Sequence, residues 1–212
     1  MRQGRKKFNS ILAIIKPQFA GMDRAVFLDR DGTMIVEKNY LCRPEDVQIF
    51  PATPVGLKQL CDAGFKLFIV SNQSGIGRGY FTFADAERVN EHLCRELARH
   101  GVRLEKIYLA PEAPDQQSHG RKPSPQFLFD ARDEFHVDLA QSYMIGDKLA
   151  DLECGWNAGV KKSILVRTGY GAELERESPE KISRAVVVDD LTGAAEWILR
   201  TEFRIQNPES RT

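Results

Sequence analysis

Residues 26–33 read Val-Phe-Leu-Asp-Arg-Asp-Gly-Thr, and Asp29 and Asp31 carry the chemistry most readily drawn from this chain. An apolar run ends at Asp29, a second carboxylate follows at Asp31, and Gly32-Thr33 turns the chain. Strand alternation points Asp29 and Asp31 the same way. Two carboxylates at one strand tip repel each other unless something cationic joins them. A hard divalent ion such as Mg²⁺ offsets that repulsion. The pair therefore points to phosphate chemistry, with one carboxylate as nucleophile and the other as acid/base. The competing reading is a surface turn in which Asp-Gly closes a hairpin.

Three further segments place polar residues where strands should end: Ser71-Asn72-Gln73, Arg121-Lys122 and Asp147-Lys148. Each alone has a plain structural reading. Ser71-Asn72 can cap a turn, Lys122 can be a solvated side chain, and Asp147 can be a helix N-cap. Their joint presence with Asp29-Arg30-Asp31 fits a set of parts for phosphoryl transfer. Asp29 would attack phosphorus and Asp31 would protonate the leaving oxygen. Asp147 and Asp29 would hold Mg²⁺. Ser71 and nearby N–H groups would hold phosphate oxygens, and Lys122 would offset developing charge.

These residues need a scaffold that brings distant strand ends together. Apolar runs and glycine stops predict strands at Arg24 to Leu28, Lys66 to Val70, Ile107 to Leu109, Tyr143 to Ile145, Ser163 to Val166 and Ala185 to Val188. Helices are expected at Thr53 to Ala63, Phe83 to His100, Pro125 to Phe135, Leu149 to Ala158 and Thr192 to Leu199. This alternation predicts an α/β fold, a Rossmann-like doubly wound parallel sheet with helices on both faces. Ligands of such sheets bind beyond the carboxyl ends of the strands. The expected organisation is an N-terminal tail over residues 1–22, one catalytic domain over 23–201, and a C-terminal tail over 202–212.

Composition narrows the class. The 212 residues are 42% hydrophobic, enough for one well-buried domain. Lys+Arg and Asp+Glu both total 30, so nothing suggests a nucleic-acid or membrane-surface binder. Cys42, Cys61, Cys94 and Cys154 form no C-x-x-C pair, and reduced thiols in a cytoplasmic protein are expected. No apolar run approaches the ~18 residues of a membrane span. Arg2, Arg5, Lys6 and Lys7 before Ile11-Leu12-Ala13-Ile14-Ile15 faintly resemble a signal peptide, but Lys16-Pro17 breaks the run. A tail is the preferred reading of this segment.

The motifs resemble those of the haloacid dehalogenase (HAD) superfamily: Asp29-x-Asp31-Gly32-Thr33, Ser71, Lys122 and Gly146-Asp147-x-x-x-Asp151. Within it, the chain is similar to the heptose bisphosphate and histidinol-phosphate phosphatases. The strings behind this are Phe27 to Thr33, Ser71 to Ile76 with Arg78-Gly79, Arg121-Lys122-Pro123, Tyr143 to Lys148 and Val166 to Gly169. The resemblance covers residues 23–200. It implies that Asp29 is nucleophile and metal ligand. It implies that Asp31 is the acid/base and that its carbonyl reaches the metal. Asp147 would be a further Mg²⁺ ligand, with Asp151 behind it. Phosphate or substrate contacts are implied for Arg30, for Glu37, Lys38, Asn39 and Tyr40 on a flap, for Ser71, Asn72, Gln73 and Ser74 on a loop, and for Arg121, Lys122 and Lys148. Little cap is expected over the site.

One departure stands out. Many relatives carry a zinc loop, C-x-H followed by C-x-C, before the Arg-Lys pair. Here residues 109–120 contain no cysteine, and His119 alone cannot build a tetrahedral zinc site. No structural zinc is expected, and substrate specificity is the property this loop puts in question. The resemblance implies hydrolysis of the C7 phosphate of D-glycero-D-manno-heptose 1,7-bisphosphate through an aspartyl phosphate, in the synthesis of nucleotide-activated heptose for lipopolysaccharide. The alternative is a histidinol-phosphate phosphatase or a broader phosphatase of small phosphomonoesters. A signalling receiver domain also uses strand-tip aspartates, but Asp31 argues for turnover. A binding-only pseudoenzyme is disfavoured by the intact positions, and a nucleic-acid end phosphatase by the neutral charge. The expected partner is a small phosphorylated sugar, with no nucleic acid and no membrane, and a monomer is expected.

Overall fold

A computed structural model describes residues 22–206. Nearly all of the expected N-terminal tail, residues 1–21, lies outside the described residues. The element order is β1 (Ala25–Leu28), α1 (Ala52–Asp62), β2 (Lys66–Asn72), α2 (Ser74–Gly77), α3 (Phe83–Ala98), β3 (Lys106–Ala110), α4 (Gln126–Phe135), β4 (Tyr143–Gly146), α5 (Leu149–Ala158), β5 (Lys162–Val166), α6 (Gly171–Glu177), β6 (Val186–Val188) and α7 (Leu191–Gln206). The six strands form one parallel sheet in the order β3-β2-β1-β4-β5-β6. The order reverses between β1 and β4, and a reversal of this kind opens a crevice at the strand ends.

Strand alternation divides the core into two layers. Val26, Leu28, Leu67, Ile69, Ile145 and Ile164 pack with α1, α3 and α7. Phe27, Phe68, Val70 and Met144 face the other way, against Leu128 of α4 and Cys154 of α5. Every residue of β1 is fully buried. That burial explains its unbroken apolar run, since a central parallel strand is covered on both faces.

Two short helices carried no readable signal. Ser74–Gly77 contains two glycines, which lower helix propensity. It is fixed by packing, with Gly77 N–H donating to Pro111 O at 2.8 Å. Gly171–Glu177 is mostly charged and lacks an apolar stripe.

The C-terminal boundary is corrected. The last helix runs to Gln206, through the position where a tail was expected to start. Glu202 is the reason. It is buried, accepts from Arg24 Nη1 at 3.1 Å and Lys161 Nζ at 2.7 Å, and also from Tyr143 Oη at 2.5 Å. A buried charge needs such partners, and they hold the helix down.

The stretch between β1 and α1 folds as a short flap. Ile35 bridges antiparallel to Ile49, and one 3-10 turn spans Pro44–Asp46.

Candidate active site

Asp29 and Asp31 follow β1, Asp147 follows β4, and β1 and β4 are neighbours. The strand reversal therefore brings carboxylates far apart in sequence to one place. One ligand oxygen each from Asp29, Asp147 and Asp151 lie within 4.8 Å of one another, and all three residues are buried. Lys122 is also buried, and its Nζ lies 2.5 Å from Asp29 Oδ1 and 2.6 Å from Asp151 Oδ1. Asn72 fixes that lysine's backbone by accepting from Lys122 N–H at 2.9 Å and donating to Lys122 O at 3.1 Å.

The charges do not balance. Burial alone would raise the Asp29 carboxyl, but the Lys122 and Lys148 cations outweigh it and hold it below the usual range. Asp151 is pushed up by burial and by Asp29, despite its bond to Lys122. Asp147 is pushed up to about 8, by burial first and then by the Asp29 and Asp151 carboxylates. Its partners are weak for a buried acid: Tyr170 N–H at 2.9 Å and the Thr33 hydroxyl at 3.4 Å. Glycines crowd this carboxylate. A Cβ built at Gly32 or Gly169 would lie 2.2 Å from Asp147 Oδ2, and both glycines have positive φ. Lys148 stands at the rim, pairing with Glu37 at 3.0 Å, and its own N–H donates to Asp151 Oδ2 at 2.9 Å.

Asp29, Asp151, Lys122 and Lys148 line a cleft of about 230 Å³, with Asp147 buried beside them. A buried acidic cluster with one fully buried lysine, beside a small polar cleft, suits a phosphate and a divalent ion. Comparison with known proteins gives the same answer. The HAD-hydrolase-like family profile matches residues 119–194. A D-glycero-beta-D-manno-heptose-1,7-bisphosphate 7-phosphatase of Haemophilus ducreyi is 39% identical over 173 residues, covering 78% of this chain and 95% of that protein. The protein of the same name from Escherichia coli K12 is 37% identical over 184 residues, covering 84% of this chain and 88% of that one. The chain belongs to the HAD-like phosphatases. Among solved structures, a D,D-heptose 1,7-bisphosphate phosphatase from B. bronchiseptica, complexed with magnesium and phosphate, aligns with a TM-score of 0.77 at 30% identity, covering 84% of this chain and 99% of that chain.

HAD-like phosphatases depend on Mg²⁺, and the residues of this one fit that ion. The fit rests on Asp147, a buried carboxylate that no cation among the described residues bonds, next to Asp29. Mg²⁺ favours one or two carboxylates plus phosphate oxygens. Asp151 is occupied by Lys122 and the Lys148 N–H, so Asp29 and Asp147 are the side chains left to hold the ion.

The other expected contacts divide into two groups. Glu37, Lys38, Asn39 and Tyr40 on the flap line the cleft, as do Ser71, Asn72, Gln73, Ser74, Lys122 and Lys148. Lys38 Nζ is tied to Asp46 O at 2.7 Å, which anchors the flap. Tyr40 meets the Tyr80 ring edge-on at 4.6 Å, and both rings are exposed. Ser71 Oγ and Asp31 Oδ2 each accept from Gln73 Nε2 at 2.8 Å.

Arg30 and Arg121 stand apart from the cleft lining. Arg30, expected to touch substrate, is instead fully buried and bonded to Asp31 and Asn90. Asn90 was missed in the sequence. Its signal was a polar residue within the apolar stripe Ala86, Val89, Leu93 and Leu97 of α3. Arg121 Nη1 donates to Glu112 O at 3.1 Å, and its N–H to Ser118 Oγ at 3.1 Å. Ser118 in turn donates to Glu112 Oε2 at 2.6 Å. These bonds knit the loop that replaces the zinc-loop sequence. His119 Nε2 sits 2.7 Å from Asp130.

Proposed function

We propose that this HAD-like phosphatase hydrolyses the C7 phosphate of D-glycero-D-manno-heptose 1,7-bisphosphate through an aspartyl phosphate. The observation that carries this is the Asp29 carboxylate, held ionised by Lys122 at the floor of the cleft and beside Asp147. The substrate assignment is supported by relatives that carry that name and are 37–39% identical to this chain over the aligned residues.

Asp29 attacks phosphorus as the bond to the sugar oxygen breaks, and Asp31 gives that oxygen its proton. Asp31 then takes a proton from the water that attacks the aspartyl phosphate, and inorganic phosphate leaves. Lys122 keeps Asp29 ionised and oriented, and with Ser71 it offsets negative charge as the phosphoryl group transfers. Bound Mg²⁺ would be held by Asp29, Asp147 and the Asp31 carbonyl and would offset charge on the phosphate oxygens. The flap residues Lys38 and Asn39 line the outer cleft, where the sugar and its second phosphate would lie. As part of the same proposal, the enzyme acts as a single-domain monomer in the cytoplasm without structural zinc.

The test is phosphate release with Mg²⁺, comparing kcat/KM for the heptose bisphosphate and for L-histidinol phosphate. A preference of about 100-fold for the heptose, about 2.7 kcal/mol of transition-state discrimination, supports the assignment. An equal preference for histidinol phosphate refutes it.

A further inference from the structure

We propose that the Arg30 and Asn90 side chains form a pair that positions Asp31, and that the Arg30 guanidinium serves the reaction only through this contact. The inference rests on Asp31 being the general acid. Arg30 Nε donates to Asp31 Oδ2 at 3.0 Å and Nη2 to Asp31 Oδ1 at 3.2 Å, so one guanidinium grips both oxygens. Such forked pairs fix the plane of a carboxylate as well as its place. On its other side Arg30 Nη1 donates to Asn90 Oδ1 at 2.8 Å.

The setting makes both residues costly unless they are used. Arg30 is fully buried, and a buried guanidinium requires well-aimed partners. Asn90 is 6% exposed on the apolar face of α3, where an unbonded amide would be strongly unfavourable. Neither residue lines the cleft. A change at Asn90 therefore reaches the reacting atoms through Arg30 and Asp31. Gln73 holds the same carboxylate from the cleft side, with Nε2 at 2.8 Å from Oδ2. The carboxylate is thus braced from two directions, and α3 supplies one of them.

A purely structural role for the pair predicts something different. In the first half-reaction the Asp29–phosphorus bond forms, the phosphorus–oxygen bond to the leaving group breaks, and the Asp31 proton moves to that oxygen. A sugar alkoxide needs the proton to leave, whereas p-nitrophenolate leaves with little help. A misaimed Asp31 should therefore penalise the sugar phosphate selectively. A loosened fold should penalise both substrates alike. The parameter kcat/KM reports the steps through this cleavage.

The experiment measures kcat/KM for the heptose bisphosphate and for p-nitrophenyl phosphate in wild type, Asn90→Leu, Asn90→Asp and Asp31→Asn, with a thermal melt of each. Asp31→Asn should lower the sugar-to-aryl ratio about 10²-fold or more, as expected for loss of a general acid. Asn90→Leu should lower the ratio about tenfold, and Asn90→Asp, which keeps an acceptor for Arg30, should restore most of it. Asn90→Ala replaces Asn90→Leu if the latter fails to fold. An equal loss on both substrates, or an unchanged ratio, overturns the positioning role. If Asp31→Asn itself leaves the ratio unchanged, Asp31 is not the general acid, and the proposal falls with that assignment.

Discussion

Replacing Asp147 by asparagine should stabilise the metal-free protein while removing its response to Mg²⁺. Asp147 is fully buried beside two other carboxylates, and its carboxyl is pushed up to about 8 from an ordinary 3.8. In the unfolded chain the group ionises near its ordinary value, while in the fold it keeps its proton until about pH 8. Between those values the unfolded chain binds fewer protons, so the contribution of this group to stability falls as pH rises. At pH 7 the penalty is about 4 kcal/mol at most, and relaxation of the neighbours leaves roughly 2 kcal/mol.

Asparagine removes the ionisable group but can still accept the Tyr170 N–H. In EDTA at pH 7 the variant should melt roughly 5 °C above wild type, since about 1 kcal/mol shifts Tm by 2–4 °C at this size. Added Mg²⁺ should then raise the wild-type Tm and leave the variant unmoved, because a ligand stabilises only the state that binds it. Phosphatase activity should vanish in the same variant. The reasoning is refuted if the variant in EDTA melts at or below wild type, or if Mg²⁺ raises both melting temperatures equally.

Four further outcomes follow from the same geometry. Asp29→Asn should lose about 10⁴-fold or more in kcat, and should form no acid-trappable phosphoenzyme. Thr82→Ala removes the capping box of α3, in which the Thr82 side chain accepts from Asp85 N–H, and should cost about 1 kcal/mol in a denaturant titration without changing KM. Gly56→Ala forces a Cβ to within 2.4 Å of Leu191 O, where α1 meets α7, and should cost roughly 1–3 kcal/mol by the same titration. Truncation after residue 201 removes Glu202 and leaves Arg24, Lys161 and Tyr143 without their shared partner; a loss of about 3–5 kcal/mol is expected. An unchanged melt would return residues 202–206 to a tail.

The sequence carried the parallel sheet because its central strands are buried on both faces and so read as apolar runs. It carried the acidic cluster because strand ends of a doubly wound sheet converge at one edge. What it hid were features set by tertiary contact. The helix at Ser74–Gly77 exists against its own propensity because Pro111 meets it. The final helix outlasts its apolar pattern because Arg24 just before β1, Tyr143 of β4 and Lys161 just before β5 meet Glu202. Arg30 is different, because the rule needed to place it was already in use. The alternation that turns Asp29 and Asp31 into the cleft must turn the residue between them away. On that ground Arg30 had to point into the layer under α3, and a buried arginine there needed an acceptor on the inner face of that helix. Asn90 is the one polar residue among the buried positions of α3. Two adjacent motifs, read together through the pleat of one strand, therefore identify a contact that family resemblance had assigned to the substrate.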